Sequence, residues 1–583
     1  MAHTFTEPFP FSSSSSLGCP YYRIPSLLAT REGVLLAAMD ARFGGTPDSP
    51  NAIGTAVARS LDSGKTWEEP HLAAAFQDWA VGKLPPLPGR KPLRHSASTI
   101  DPCLLQDSAT GRIFLLVDAF PWGVGAFQAQ TGSGYRQGRL LLRRRGRRAY
   151  GYFVGEDGAI RRLDGSPTPY KVDASLNLSK NGRPLTVGQR RPMYWQGRPW
   201  GLPTGKHVPM HLFYQGARFQ VFPTSYLFLL YSDDLGKTWS TPREMNGLVK
   251  EDSLGFFGVC PGQGAQLSQG PHAGRLVFPA YALDACTGRQ QFRALYSDDG
   301  GSRWQAGTFA PLGEGISSMS ETQLLPCPDG ALLAFSRTTS GFVARTVSLD
   351  GGATWQPPVL DSFLPLTGGA GCQVSALGLP WKNRDAVLVS APAGKDRTQG
   401  VLSLGFLEKG HQIRWAARRQ LTGAGEEFAY SCLAALPNGK VGLLYETSNR
   451  SQAVDAVQFR ELSLEGPWDW GTPNKGPPEA PGGPFPLRPQ HLLKDAAALQ
   501  RHGVGHGGAF QQACAYTAHG LPHLVDKAVD VLLDVLLHQP AGLVVQLHPA
   551  PGVEPLPQGE ASSPYRPPFS GRAVPTEHWP STR

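Results

Sequence analysis

The sequence is short of charge, and Asp, Glu, Lys and Arg together make only 17% of its 583 residues. Hydrophobic residues make 40%, so the chain does not lack the apolar surface a core needs. No apolar stretch reaches the roughly 18 residues of a spanning helix, and no membrane span is expected. The eight cysteines are scattered from Cys19 to Cys514 and none has metal-ligand or redox spacing. That excludes a zinc module and a paired redox motif. The expectation is mostly free thiols, no metal and no cofactor, as suits a reducing compartment. The opening MAHTFTEPFPFSSSSSLG lacks a basic and then an apolar region. No secretory signal is therefore expected, and a cytoplasmic location is favoured over secretion of a longer form. Acidic residues are fewer than basic ones, with a formal net charge of +9. Seven arginines without one acid lie between Arg136 and Arg148. Charge gathered in one run, not spread along a face, argues against a nucleic-acid partner.

Glycine (69) and proline (53) are abundant and punctuate short hydrophobic runs, which reads as an all-β chain. One eight-residue motif recurs as SLDSGKTW (Ser60–Trp67), SDDLGKTW (Ser232–Trp239), SDDGGSRW (Ser297–Trp304) and SLDGGATW (Ser348–Trp355). The pattern is S-x-D-x-G-x-T-W, and the third copy alone has Arg303 in place of Thr. Its logic is a hairpin turn. The aspartate bonds turn N–H groups, the glycine takes positive φ, and the tryptophan packs the turn onto its sheet. Such turns between short strands, repeated every few tens of residues, point to a β-propeller.

The gap between Trp67 and Ser232 is the largest and must hold an insertion. Asp157-Gly158, Asp164-Gly165 and Asn181-Gly182 mark hairpins within it. The expected organisation is a first propeller part over 1–122, an inserted irregular β domain over 123–221, and a second propeller part over 222–466. A Pro/Gly-rich linker and partly helical tail follow over 467–583, with candidate helices at His491–His502 and Leu524–His538.

The stretch YRIPSLL (Tyr22–Leu28), followed by MDARFGGTPD (Met39–Asp48), joins the repeated turns in resembling the sialidases, most closely the bacterial type with an inserted β domain. STIDPCLLQD (Ser98–Asp107), SETQLL (Ser320–Leu325), AFSR (Ala334–Arg337), APAGKDR (Ala391–Arg397), EEFAYSCL (Glu426–Leu433) and LLYE (Leu443–Glu446) follow in the family's order. The resemblance covers about Tyr22 to Leu464. It implies a six-bladed β-propeller and an exo-sialidase that hydrolyses terminal α-linked sialic acid from glycoproteins, glycolipids or oligosaccharides.

It also implies residues. Arg23, Arg337 and Arg397 would bind the sialic acid carboxylate, since guanidinium forks match a planar acceptor with charge-assisted pairs. Glu446 would orient Arg23. Tyr430 would be the nucleophile and Glu321 its base. A neutral phenol suits an anomeric carbon that carries a carboxylate, because an anionic nucleophile would meet like charge. Asp48, in the loop GGTPDSP, would be the general acid/base. Arg42 would line the pocket, and Asp101 would contact the N-acyl group. The expected partners are sialylated glycoconjugates, and the expected state is a monomer. The arginine run is read as a solvated hairpin, or as an attractor of anionic sialoglycans.

Two other readings are open. A non-catalytic sialic-acid-binding propeller would need only the arginines, so Asp48, Glu321 and Tyr430 together favour the enzyme. An intramolecular trans-sialidase releasing an anhydro sugar would use the same residues.

Overall fold

Strands such as Leu35–Arg42 and Ile113–Phe120 are buried at every residue. Sheets stacked face to face cover both sides of their middle strands, so these strands read as continuous rather than alternating apolar runs. The computed structural model describes residues 10–470 apart from 13–14, 77–95, 196–197, 285–286, 367–368, 395, 448–455 and 466–467. The candidate helices at 491–502 and 524–538 lie outside the described residues. Helix is confined, among the described residues, to the four-residue Asn246–Val249 and two 3-10 turns. None is long and apolar enough to cross a membrane.

The architecture is an all-β, six-bladed propeller. The first blade is a four-stranded sheet that begins with Tyr21–Ala29, Leu35–Arg42 and Ile53–Ser60. The later blades start on inner strands Ser98–Gln106, Leu254–Val259, Thr322–Pro326, Ser375–Trp381 and Ser431–Ala435. Within each blade the first and second strands run antiparallel, and the short Gly262–Gln263 joins Ser98–Gln106 in parallel. The start of each inner strand therefore lies at the same end as the finish of the second strand. Arg42 finishes the second strand of the first blade, opposite Tyr21.

The repeated turns follow third strands and so lie at the opposite end. In the first, Asp62 accepts the N–H of Thr66 at 2.8 Å and its hydroxyl at 2.6 Å. The second and fourth repeat this with Asp234–Thr238 and Asp350–Thr354. At the third, Asp299 keeps the N–H of Arg303 but has no threonine hydroxyl. The turn glycines take φ of 79° to 92°. They also abut the preceding blade: a Cβ on Gly236 would lie 2.0 Å from Leu36, and one on Gly301 2.3 Å from Phe114. The first turn abuts the last blade, where a Cβ on Gly64 would lie 2.2 Å from Phe459. The four turns thus latch four of the six blade junctions, the ring-closing one among them, helped by a core that joins Leu27, Ala37 and Met39 to Cys432, Leu444 and Val457.

Between Ile113–Phe120 and Tyr226–Ser232 the chain leaves the second blade and builds a separate eight-stranded sheet and a two-stranded hairpin. Because Phe120 pairs with Ser98 at the start of the inner strand, this excursion emerges at the end of the propeller where the inner strands begin. The Asp164-Gly165 and Asn181-Gly182 turns join paired strands there. Past the expected end of the propeller at 466 there is one correction: Asp469–Trp470 pairs with Arg418 and Ala417 at the edge of the fifth blade. An edge pairing needs only backbone groups, so the Pro/Gly-rich composition that begins there did not announce it. The six described free cysteines, Cys19, Cys103, Cys260, Cys327, Cys372 and Cys432, are all buried.

Candidate active site

The antiparallel order collects dispersed residues at one end of the ring. Arg23 sits at the start of an inner strand whose register slips between Arg23 and Ser26. Ile24 takes φ 59° there, an uncommon conformation for a β-branched residue, and Pro25 has no N–H to leave unpaired. The slip sends the Ile24 N–H to Glu446 Oε1 at 2.7 Å. Arg23 reaches the same carboxylate with Nε at 3.1 Å and Nη2 at 3.2 Å, across 423 positions of sequence. Glu446 is fully buried, so the pair fixes the guanidinium rigidly.

Tyr430, Glu321 and Arg337 form a second cluster. Tyr430 precedes one inner strand and Glu321 another, while Arg337 follows the second strand of Glu321's own blade. Tyr430 Oη donates to Glu321 Oε1 at 2.5 Å. Arg337 Nη1 donates to Glu321 Oε2 at 2.7 Å and to Tyr430 Oη at 2.9 Å. Arg397, at φ 61°, lies with its guanidinium carbon 5.4 Å from the Tyr430 ring centre. Arg23 lies 5.7 Å from the same centre. All three arginines therefore surround one tyrosine.

Asp48 stands on the loop after Leu35–Arg42, with 67% of its side chain exposed. Arg42 Nη1 holds its Oδ1 at 2.7 Å, and Arg23 Nη1 lies 3.8 Å away. The loop rests on the start of the inserted segment, where a Cβ on Gly125 would lie 2.0 Å from the Ser49 carbonyl oxygen. Asp101 takes φ 61° before Pro102, in the same manner as Ile24, and donates its N–H to buried Asp40 at 3.0 Å.

A family model described as a BNR repeat-like domain matches residues 201–443. The anhydrosialidase of Macrobdella decora is 35% identical over 76% of this chain and 61% of its own length. Sialidase B of Streptococcus pneumoniae is 31% identical over 78% of this chain and 66% of its own length. The chain thus spans less than two-thirds of either curated relative. The solved intramolecular trans-sialidase from Ruminococcus gnavus is 34% identical with a TM-score of 0.71, over 78% of this chain and 97% of that one. The chain belongs to the sialidase family.

In this sialidase-family chain the electrostatics separate the two carboxyl-bearing ends of the site. Burial holds the Tyr430 phenol well above its usual range, reinforced by Glu321 and opposed by Arg337 and Arg397, so the free site carries a neutral phenol. Partial desolvation by the surrounding chain works to raise the largely exposed Asp48, but Arg42 and then Arg23 outweigh it and hold the carboxyl below its usual value. Asp101 is held well above the carboxylate range, first by burial and then by Asp40.

Every candidate site residue named from the sequence lies at this end of the ring. Two groups escaped that reading. Asp40 is fully buried and grips Arg42; it lies two positions before Arg42 on one strand, hence on the same face, a signal that was present. The carbonyls of Ala370 and Gly371 receive Arg337 Nε at 2.9 Å and Arg397 Nη2 at 3.4 Å. Backbone carbonyls carry no sequence signal.

Proposed function

We propose that this chain is an exo-sialidase that releases terminal α-linked sialic acid from glycoconjugates by a retaining route with Tyr430 as nucleophile. The observation that carries this reading is the 2.5 Å hydrogen bond from Tyr430 Oη to Glu321 Oε1, with Arg337 on both groups. A sugar carboxylate would sit among Arg23, Arg337 and Arg397, bringing its anomeric carbon to Tyr430. Tyr430 Oη then attacks that carbon as Glu321 takes the phenolic proton. Arg337, whose Nη1 lies 2.9 Å from Tyr430 Oη, favours the developing phenolate charge. Asp48 gives a proton to the departing glycosidic oxygen. In the free site Asp48 is ionised by its arginines. The bound sugar carboxylate offsets those cations, which raises the Asp48 pKa toward the value an acid needs. In the second half Asp48 takes a proton from water as it attacks the same carbon. Glu321 returns its proton to Tyr430.

A second reading replaces that water with a hydroxyl of the sugar's own glycerol side chain, giving an anhydro sugar. It is favoured by the relatives named above, of which one is an anhydrosialidase and one an intramolecular trans-sialidase. The arrangement of Tyr430, Glu321 and Asp48 serves both.

The test is Tyr430→Phe with NMR of the wild-type product. Removing one oxygen keeps the ring, so kcat on a sialoside should fall at least about a hundredfold while a sialic acid analogue still binds. A wild type treated with a 3-fluorosialyl fluoride should carry its adduct on Tyr430. Unchanged turnover by Tyr430→Phe would refute the nucleophile. No turnover by the wild type, with analogue binding intact, would leave a sialic-acid-binding propeller.

A further inference from the structure

Arg42 and Asp40 are both fully buried, and both lie on the second strand of the first blade. Arg42 divides its guanidinium between two carboxylates. Nε and Nη2 go to Asp40 Oδ2 at 3.2 and 2.8 Å. Nη1 goes to Asp48 Oδ1 at 2.7 Å and to the Thr46 carbonyl at 2.5 Å. The other Asp40 oxygen accepts the Asp101 N–H. Asp40 thus accepts hydrogen bonds on both oxygens, the pattern of a carboxylate.

A buried guanidinium is costly unless its charge is met. Asp48 is mostly exposed and sits on a loop, so Asp40 is the buried counter-charge, although burial, opposed by Arg42, raises its carboxyl to about 7. Without it, the whole cation would bear on Asp48 and hold that carboxyl ionised more firmly. The groups facing Asp48 are Arg42, Arg23 and Arg397, with Asp40 behind Arg42. Those facing Asp40 are Arg42, Asp48, Asp101 and Asp118. We infer that Asp40 is a positioning residue for the proton-transfer step. By clamping one edge of Arg42 and offsetting its charge, it sets both where Asp48 stands and how readily Asp48 gains a proton. Through the Asp101 N–H it ties that setting to the second blade. The inference rests on the reading of Asp48 as the acid.

The experiment uses the full chain and two substrates, sialyllactose and a nitrophenyl sialoside. The alkyl leaving group needs a proton, whereas the nitrophenolate departs without one. Asp40→Asn should move the descending limb of the kcat–pH profile on sialyllactose down by about one pH unit. It should change kcat on the nitrophenyl sialoside by no more than about threefold and leave binding of a sialic acid analogue unaltered. The double variant Asp40→Asn/Arg42→Gln removes both buried charges together. It should move the limb the opposite way, above the wild type. A purely structural role would lower turnover of both substrates alike and shift neither limb. Superimposed profiles for Asp40→Asn and wild type, or parallel losses on both substrates, would overturn the inference. If Asp40→Asn does not fold, the double variant decides alone, and a limb that does not rise overturns the inference. Asp48→Asn is the control. If it spares sialyllactose turnover, the assignment of the acid has failed, whatever Asp40 does.

Discussion

Arg337 touches Glu321, Tyr430 and the Ala370 carbonyl at once, whereas Arg397 reaches only the Gly371 carbonyl and the face of the Tyr430 ring among the contacts described above. The sequence assigns the two the same task. Under the proposed mechanism the geometry gives Arg337 a second one, because its Nη1 lies against the Tyr430 oxygen that would become anionic during attack. Arg337→Ala should therefore lower kcat as well as raise KM, with a total loss of roughly 2–5 kcal/mol in kcat/KM. Arg397→Ala should act mainly on KM. Steady-state kinetics with both variants, against thermal melts that show them folded, checks the split. Equal kcat effects would mean that the arginines are equivalent. At this scale the sequence showed which residue types converge, since motifs label them. It did not show that Asp40 backs Arg42 or that one loop's carbonyls aim two arginines.

At the scale of the element, the four repeated turns differ by one hydroxyl. Asp234 bonds the N–H and hydroxyl of Thr238 and receives the Ser232 hydroxyl at 2.8 Å. Asp299 has the N–H of Arg303 and the hydroxyl of Ser297 at 2.9 Å, but no threonine hydroxyl. Asp234→Ala should cost about 1–2 kcal/mol and Asp299→Ala less, at about 1 kcal/mol. Arg303→Thr should recover a few tenths to about 1 kcal/mol. Denaturant unfolding of the three variants measures this, and activity of the folded fraction should stay unchanged because the turns lie away from the site. These turns were the most legible feature of the chain. Their interactions fall within eight residues, so the sequence contains nearly the whole motif. That each turn also latches the preceding blade was not legible, since Gly236 meets Leu36 and Gly64 meets Phe459 only in the ring.

For the whole molecule, the turns make a statement about acid stability. Burial works to raise Asp234, but the Thr238 hydroxyl and N–H outweigh it and lower the carboxyl to about 2. Asp62 and Asp350 are lowered in the same way by Thr66 and Thr354, and Asp299 is lowered by the Arg303 N–H. A carboxyl whose folded pKa is depressed adds stability above its unfolded pKa, about 4, and that stability is lost as pH falls through the folded value. The melting temperature should drop between about pH 4 and pH 2. The drop in that window should be shallower in Asp234→Asn, which has no carboxyl to protonate. An identical slope in the variant would mean that the turns do not contribute to acid unfolding.

The sequence by itself determined what depends on neighbours in the chain: the all-β class, the four turns and the hairpin signals within the insertion; through the family resemblance it also named candidate groups to bind a carboxylate or move a proton. Only the tertiary structure decided how those groups divide their bonds. Arg23 and Glu446 meet across 423 positions, and no spacing rule reaches that far. Ring closure places the first blade against the last, and the register slip at Ile24 turns an N–H toward Glu446. Both follow from packing and backbone pairing. Local propensity does not encode these, because they exist only once all six blades are in place.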